Sequence, residues 1–348
     1  MKNERIQWID LSKGMAMILV FYGHLGGSGD NPWFPLLTDS IAVVYLFHMP
    51  LFFFLSGLTL HVKRPFKEFI ISRVRRLIIP YYFFCLYPLA KIILKLISPA
   101  AFASFHGKPT SGPWQELLNI FFGKAFGLWF LFALFWGDLI LYWVIRLAHE
   151  NKYQIACVCL VALILWYIIS SRIIDVPGNF FQLSKAPEAV AFVGLGYLMS
   201  KPMKKIVEQR DSIILLLLSI FCFTSCVCLL NMLIRSVGLF DLFLKILAAC
   251  SGFLMIISLA MLVPTWKVLT YIGRNTLIFY GLNGLSLAVT KKIIFYALPV
   301  SILHNNLFLQ LIVGLFVVAL ACLLCSIAAY VLKRWFWWGL GMSRAQRR

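Results

Sequence analysis

Runs of roughly 17 to 25 mostly apolar residues recur along the whole chain. About 20 such residues form a helix long enough to cross the hydrocarbon core of a bilayer. Hydrophobic residues make up 61% of the chain and charged residues only 13%, about half the charged fraction of soluble domains. The sequence therefore predicts an all-α polytopic membrane protein, with residues 1–348 forming a single domain.

The apolar runs divide into ten predicted transmembrane helices. With the N-terminus inside, the cytoplasmic loops, their flanks and the C-terminal tail hold 22 of the 32 Lys and Arg residues. The positive-inside rule then predicts that both termini are cytoplasmic, although Lys291 and Lys292 fall on the predicted outer side. The predicted spans are 11–27, 41–60, 77–97, 121–145, 153–170, 186–200, 212–231, 241–263, 271–290 and 306–332.

The formal net charge of +19 does not indicate a nucleic-acid-binding protein. The basic residues alternate with hydrophobic spans and do not form one stripe with aromatic residues. Membrane lipid is the predicted partner. The nine cysteines all fall inside predicted spans, where they act as small apolar residues, so we expect neither disulfides nor a metal site.

The first apolar run carries two ionisable side chains that are costly in a membrane, Lys13 and His24. Because they are eleven residues apart, they share one face of a helix and lie about 16 Å apart along its axis. The glycines after His24 predict that the helix ends there and that the imidazole meets a cavity. Imidazole accepts protons near neutral pH, so His24 is the candidate catalytic base. The alternative is a histidine that is hydrogen-bonded for packing.

A basic segment, HVKRPFKEFIISRVRR, occupies residues 61–76 and carries six Lys and Arg against one Glu. Arg73 and Arg76 are three residues apart on a predicted helix, so both are expected on one side, where guanidinium groups suit phosphate oxygens. Lys13 lies on the same side of the membrane. These three are the candidate donor-binding residues. The alternative is a role in topology and lipid-headgroup binding.

Further polar side chains are candidates for orienting the base or binding an acceptor. Asp10 lies close to the helix face that carries Lys13 and His24. His48 lies near the outer end of the second span, with interfacial anchoring as the alternative. Trp129 is a candidate for stacking on a ligand, with interfacial anchoring as the alternative. Glu188 is the preferred carboxylate for orienting an imidazole or binding sugar hydroxyls. Asp138, deep in the fourth span, is the other candidate for this role, and its alternative is pairing with a cation or hydroxyl inside the bundle.

Four motifs of the chain are RIQWIDLSKGMAMILVFYGH, FHMPLFFFLSG, SRVRRLIIPYYFF and LWFL. Together they resemble the membrane acyltransferase 3 family, and most of all its fucose 4-O-acetylase-like branch. The resemblance is specific over about residues 5–82 and at 128–131. One departure is Asn283, where members of this branch often carry a histidine.

The resemblance implies a multi-pass enzyme of the cell membrane, the inner or cytoplasmic membrane of a bacterium. It implies transfer of an acyl group, most often acetyl, from cytoplasmic acetyl-CoA to a hydroxyl of a cell-surface or lipid-linked carbohydrate. Acetyl-CoA is then a co-substrate, and no permanently bound cofactor is expected. The family's first-span motif falls on Lys13 and His24, and its RxxR motif falls on Arg73 and Arg76.

A transporter or lipid-linked glycan flippase remains the alternative class, with Lys13 and His24 on a substrate or proton route. Transporters often contain paired repeats with interrupted helices in matching halves, and no such symmetry is visible in this sequence.

Overall fold

The computed structural model describes most of the chain. Its described residues form fifteen α-helices and no β-strand, which confirms the predicted all-α class. The described residues are 6–26, 33–98, 112–125, 127–171, 179–209, 211–232, 238–264, 266–298, 303 and 305–343. The helices are α1 (Gln7–Gly23), α2 (Thr38–Tyr45), α3 (His48–Leu58), α4 (Phe66–Arg73), α5 (Ile79–Phe84), α6 (Leu86–Ile97), α7 (Pro113–Phe121), α8 (Trp129–Leu147), α9 (Lys152–Ser170), α10 (Ala186–Gln209), α11 (Ser212–Met232), α12 (Leu239–Leu262), α13 (Lys267–Arg274), α14 (Thr276–Ala297) and α15 (Leu307–Trp335).

Eight helical segments of the described chain are long and apolar enough to cross a membrane, which confirms a polytopic membrane protein. Ten spans were predicted. The first predicted span corresponds to α1, which has 17 residues, and the sixth corresponds to the first part of α10, which has 24 residues in all. Neither helix is among the eight. The side on which each terminus lies stays a prediction.

The chain departs from the α-helix about four residues before each of two prolines, Pro50 and Pro80. Proline has no N–H, and its ring clashes with the carbonyl of the residue four positions earlier. Before Pro50 the chain leaves the helix at Leu46 and Phe47, which divides the predicted span 41–60 into α2 and α3. Before Pro80, residues Val74–Ile78 form a π-helical turn. Arg76 lies in this turn, so the α-helical spacing assumed for the RxxR motif does not apply to it.

The ninth predicted span, 271–290, is also divided. Its break is at Asn275, whose side-chain amide donates to the carbonyl oxygen of Tyr271 at 2.7 Å. A side chain that bonds the backbone in this way competes with the helical ladder. After the break, α14 runs to Ala297, seven residues beyond the predicted end, and therefore includes Lys291.

The chain separates into two compact units. The first comprises Met1–Leu60 and Phe192–Tyr330, and the second comprises His61–Ala191 and Val331–Arg348. The prediction of a single domain over residues 1–348 stays a prediction.

In the first unit, α1 and α13 touch through their backbones. A Cβ atom on Gly14 would overlap the carbonyl oxygen of Leu269, and one on Gly273 would overlap the carbonyl oxygen of Asp10. Small residues of this kind let two membrane helices approach closely enough for backbone packing. The pair anchors the N-terminal half of α1.

In the second unit, the end of the chain packs against the basic segment. Gly341 has φ +66°, and a Cβ atom there would overlap the carbonyl oxygen of Arg75. The rings of Phe83 and Trp338 meet edge to face with centroids 5.7 Å apart. The residues that follow α15, assigned from sequence to the C-terminal tail, are therefore part of the folded unit.

Candidate active site and donor cavity

His24 is the C-cap residue of α1, as the glycines after it predicted. Its Nδ1 lies 2.8 Å from the carbonyl oxygen of Val20. A carbonyl oxygen only accepts hydrogen bonds, so Nδ1 carries the ring proton and Nε2 is the acceptor of the neutral imidazole. His24 is thus held in the tautomer that a general base requires.

His48 and Tyr45 lie beside His24 in the first unit. The Tyr45 ring centroid is 6.3 Å from that of His24 and 4.9 Å from that of His48. The Tyr45 hydroxyl donates to the carbonyl oxygen of Gly23 at 3.1 Å. His48 is buried, and its Nδ1 lies 3.0 Å from the carbonyl oxygen of Val44. The structure therefore brings two of the predicted site histidines together around one tyrosine.

Lys291 is buried on α14 and binds the backbone carbonyls of His24 and of the two residues that follow it. Its Nζ donates to the carbonyl oxygens of Leu25 at 2.7 Å, His24 at 3.1 Å and Gly26 at 3.4 Å. Carbonyls at a helix C-terminus have no helical partner and carry partial negative charge, so an ammonium group is favourable there. This role was not predicted from the sequence, where its signal is the pair of lysines that the positive-inside rule leaves unexplained.

Two polar atoms of α14 are buried without a hydrogen-bond partner among the described residues, Asn283 Nδ2 and Thr290 Oγ1. They are seven residues apart and so share one face of the helix. Buried polar groups without a partner in the protein are rare and call for a further partner, such as an ordered water, an ion or a ligand. Asn283 is the position at which the sequence departs from the resembling branch.

At the other end of α1, Asp10 pairs with Arg274 of α13, with Oδ2 and Nε 3.0 Å apart. Asp10 precedes His24 by fourteen residues, roughly 21 Å of helix, so it does not contact the imidazole. Lys13 is partly exposed on the same helix. The pair with Arg274 gives Asp10 a packing role between α1 and α13.

In the second unit, Arg73 pairs with Asp138 of α8, as the sequence alternative for that carboxylate anticipated. Arg73 Nε and Asp138 Oδ2 are 3.1 Å apart, and the Asp138 side chain is only 2% exposed. The contact is an ion pair without hydrogen-bond geometry, and Asp138 Oδ1 has no hydrogen-bond partner within the described part of the chain. The guanidinium also lies over the Phe69 ring, 4.8 Å from its centroid. The Arg73 guanidinium is thus engaged in contacts within the protein.

Arg76 has different surroundings, because it lines a cavity of about 630 Å³ in the second unit. Cavities of a few hundred to a thousand Å³ are typical of small-molecule sites. Arg76 was predicted from the sequence, but the aromatic wall that Trp337 and Trp338 supply was not. The lining residues are Arg64, Glu68, Ile71, Ser72, Arg75, Arg76, Ile79, Trp337, Trp338, Gly341, Met342 and Ser343.

Trp129 and Glu188 belong to a second polar cluster of the same unit. The Lys185 ammonium lies over the Trp129 ring, 5.5 Å from its centroid. Glu188 is buried in the first turn of α10, interacts electrostatically with Lys185 and accepts a side-chain hydrogen bond from Trp166. Lys185 therefore connects two of the residues predicted to orient the base or bind the acceptor.

The described residues contain no group of three or more His, Cys, Asp and Glu side chains arranged to hold a metal ion. The cysteines are free thiols.

The family described as an acyltransferase domain matches residues 6–331. The chain belongs to this acyltransferase family. The resemblance inferred from the motifs is confirmed, and so is the class of enzyme, an acyltransferase. The match includes α1 with His24, the basic segment and the whole of α14.

The chain is also similar to the Nodulation protein NolL of Sinorhizobium fredii (strain NBRC 101917 / NGR234). The two are 31% identical over 140 residues, which cover 38% of this chain and 34% of NolL. The chain thus spans about a third of the length of this curated relative. No solved structure matches the chain.

Proposed function

We propose that this acyltransferase takes an acyl group, most often acetyl, from cytoplasmic acyl-CoA and transfers it to a hydroxyl of a cell-surface or lipid-linked carbohydrate. The observation that carries the proposal is the His24 imidazole, held at a helix end with Nε2 as its acceptor atom. The family match supports acyl transfer, and the arginine-lined cavity supports a phosphorylated donor. The enzyme acts in the cell membrane.

In the proposed reaction, Nε2 of His24 takes the proton of the acceptor hydroxyl as its oxygen attacks the thioester carbonyl carbon. The new C–O bond forms, the C–S bond breaks, and the CoA thiolate takes the proton from the imidazolium. The products are a carbohydrate ester and free CoA. The proposal requires the thioester to reach Nε2, and transfer through an acyl-imidazole is the other route to the same products.

Donor and acceptor binding are assigned to separate groups. Arg76 binds donor phosphates, with Lys13 and Arg73 as the further donor residues that the family motif implies. Trp129 and Glu188 are proposed to bind the acceptor, because an aromatic face and a carboxylate together suit a sugar ring and its hydroxyls. The unpartnered atoms of Asn283 and Thr290 support a polar substrate in the first unit.

The test of the proposed function is acceptor-dependent thioester consumption. Purified protein in bilayers of zwitterionic lipid is given acetyl-CoA labelled in the acetyl group, together with envelope glycans from cells that lack the protein. We expect free CoA and labelled glycan to form together and only when both substrates are present. Movement of glycan across the bilayer without CoA release would instead identify a transporter or flippase.

We expect the basic segment to face the cytoplasm and the start of α7, where Gln115 lies, to face the outside of the cell. Lys67 and Gln115 are exposed, so a cysteine at either position is open to a maleimide probe. In intact cells, an impermeant probe should label Gln115→Cys above the parent protein and should label Lys67→Cys only after permeabilisation. Labelling of Lys67→Cys from outside would contradict a cytoplasmic donor.

We expect Lys291→Met to lower kcat about ten- to a hundredfold, because a small misplacement of a reacting group has effects of this size. Methionine keeps the length of the side chain but leaves the three carbonyls at the end of α1 without the ammonium. The donor KM should stay the same, and Lys291→Arg should recover part of the rate.

Lys292→Met is the matched control for Lys291→Met, since it removes the exposed neighbouring ammonium, and it should leave kcat unchanged. Equal kcat in Lys291→Met and the parent enzyme would show that Lys291 does not position His24.

A further inference from the structure

The cavity beside Arg76 combines two kinds of wall. One is basic and is formed by Arg64, Arg75 and Arg76; the other is aromatic and is formed by Trp337 and Trp338. Trp338 is 54% exposed even though it packs on Phe83, so much of its indole is open to a ligand.

The aromatic wall depends on a tight approach of the C-terminal residues to the basic segment. Only glycine fits at Gly341, because a Cβ atom there would overlap the Arg75 carbonyl oxygen and the backbone is left-handed. The chain therefore turns at a fixed place and holds Trp337 and Trp338 opposite the arginines. A basic cavity lined by two indoles, the exposed Trp338 and the half-buried Trp337, has the chemistry of a nucleotide site, with phosphates on guanidinium groups and a base on an aromatic face.

We propose that residues 336–343 complete a nucleotide-binding cavity for the adenosine 3′,5′-bisphosphate end of the donor. The adenine ring stacks on Trp337 or Trp338, and the phosphates bind Arg64, Arg75 and Arg76. Glu68, also in the lining, accepts a hydrogen bond from the amino group of adenine. This assignment rests on the proposed acyl-CoA donor, and it adds a base-recognition site that the RxxR motif does not contain.

Anionic lipid headgroups share the phosphate chemistry, so base stacking is the property that identifies a nucleotide. Adenosine 3′,5′-bisphosphate is titrated into the purified full-length protein in zwitterionic bilayers. Trp337→Ala and Trp338→Ala should each weaken binding about five- to a hundredfold, and Trp→Phe at the same positions should retain most of it. Trp335→Ala is the matched control, because Trp335 is exposed but does not line the cavity, and its affinity should equal that of the parent.

A second variant moves the aromatic wall without changing any side chain that is proposed to bind the nucleotide. Gly341→Ala forces the C-terminal residues away from Arg75 and should weaken nucleotide binding at least tenfold. Gly284→Ala is its control, because a Cβ there would have no atom within 4 Å apart from the adjacent backbone of its own helix. Stable, membrane-inserted Gly341→Ala and Trp variants with parental affinity would overturn the proposal.

The same titration is repeated with bilayers that contain phosphatidylglycerol. Displacement of the nucleotide from the protein by phosphatidylglycerol would also overturn the proposal. So would binding of inorganic pyrophosphate as tight as that of the nucleotide, because either result removes base recognition. If the Trp variants turn over acetyl-CoA with an unchanged donor KM, the nucleotide cavity is wrong and acyl transfer stands. If the nucleotide binds as proposed but no thioester is consumed, the proposed function fails and the cavity stands.

Discussion

His24→Ala is expected to abolish acyl transfer while the protein stays at its normal membrane level and still binds CoA. General base catalysis contributes about a hundred- to ten-thousandfold, so kcat should fall by at least the lower of these factors. The structural reason is the tautomer: Nδ1 is committed to the Val20 carbonyl, and Nε2 is the proton acceptor. The measurement is acceptor-dependent release of free CoA together with formation of labelled glycan.

His24→Gln separates chemistry from packing. Glutamine keeps hydrogen-bonding capacity but cannot take a proton, so a base or an acyl carrier predicts that it is as inactive as alanine. Substantial turnover by His24→Gln would return His24 to a packing role. His48→Gln is the matched comparison, since His48 makes the same bond to the carbonyl four residues earlier, and its effect should be smaller. Equal losses in both variants would assign the reaction to the pair.

Arg73→Ala and Arg76→Ala are expected to fail in different ways, although the RxxR motif suggests one role for both. Arg73→Ala leaves the buried Asp138 carboxylate without its cation, and removing one partner of a buried pair costs about 3–5 kcal/mol. Its main effect should be a low membrane level and a lower melting temperature. Arg76→Ala should insert normally and bind acetyl-CoA about ten- to a hundredfold more weakly, the loss of a contact worth about 1.5–3 kcal/mol.

The double variant Arg73→Leu with Asp138→Leu distinguishes the two roles of Arg73. Replacing both members of a buried ion pair by apolar residues is often neutral, so the membrane level should recover. Recovery of donor affinity as well would show that Arg73 acts only in the fold. A stable double variant that binds acetyl-CoA as weakly as Arg76→Ala would establish Arg73 as a donor-binding residue. Arg76→Lys should also bind the donor weakly, because an ammonium lacks the planar fork of guanidinium.

Sequence patterns gave correct predictions for features that depend on residues close together in the chain. Apolar length predicted the membrane helices, and the glycines after His24 predicted the end of α1 at Gly23. Pro50 marked the place where the predicted span 41–60 divides, and Pro80 marked the π-helical turn at the start of the predicted span 77–97. The family motifs likewise identified an acyltransferase from short stretches of chain, and the match over residues 6–331 confirmed it.

By itself, then, the sequence determined the class of fold, the family and the helix end that carries His24, because each depends on residues close together in the chain. Only the tertiary structure decided which side chains meet. Lys291 reaches carbonyls more than 260 positions earlier, Asp138 occupies Arg73, and Trp338 faces the segment of Arg76 from the far end of the chain. The spacing of residues along the sequence does not predict such contacts. They form when helices from distant parts of the chain pack and bury polar groups, which must then find partners.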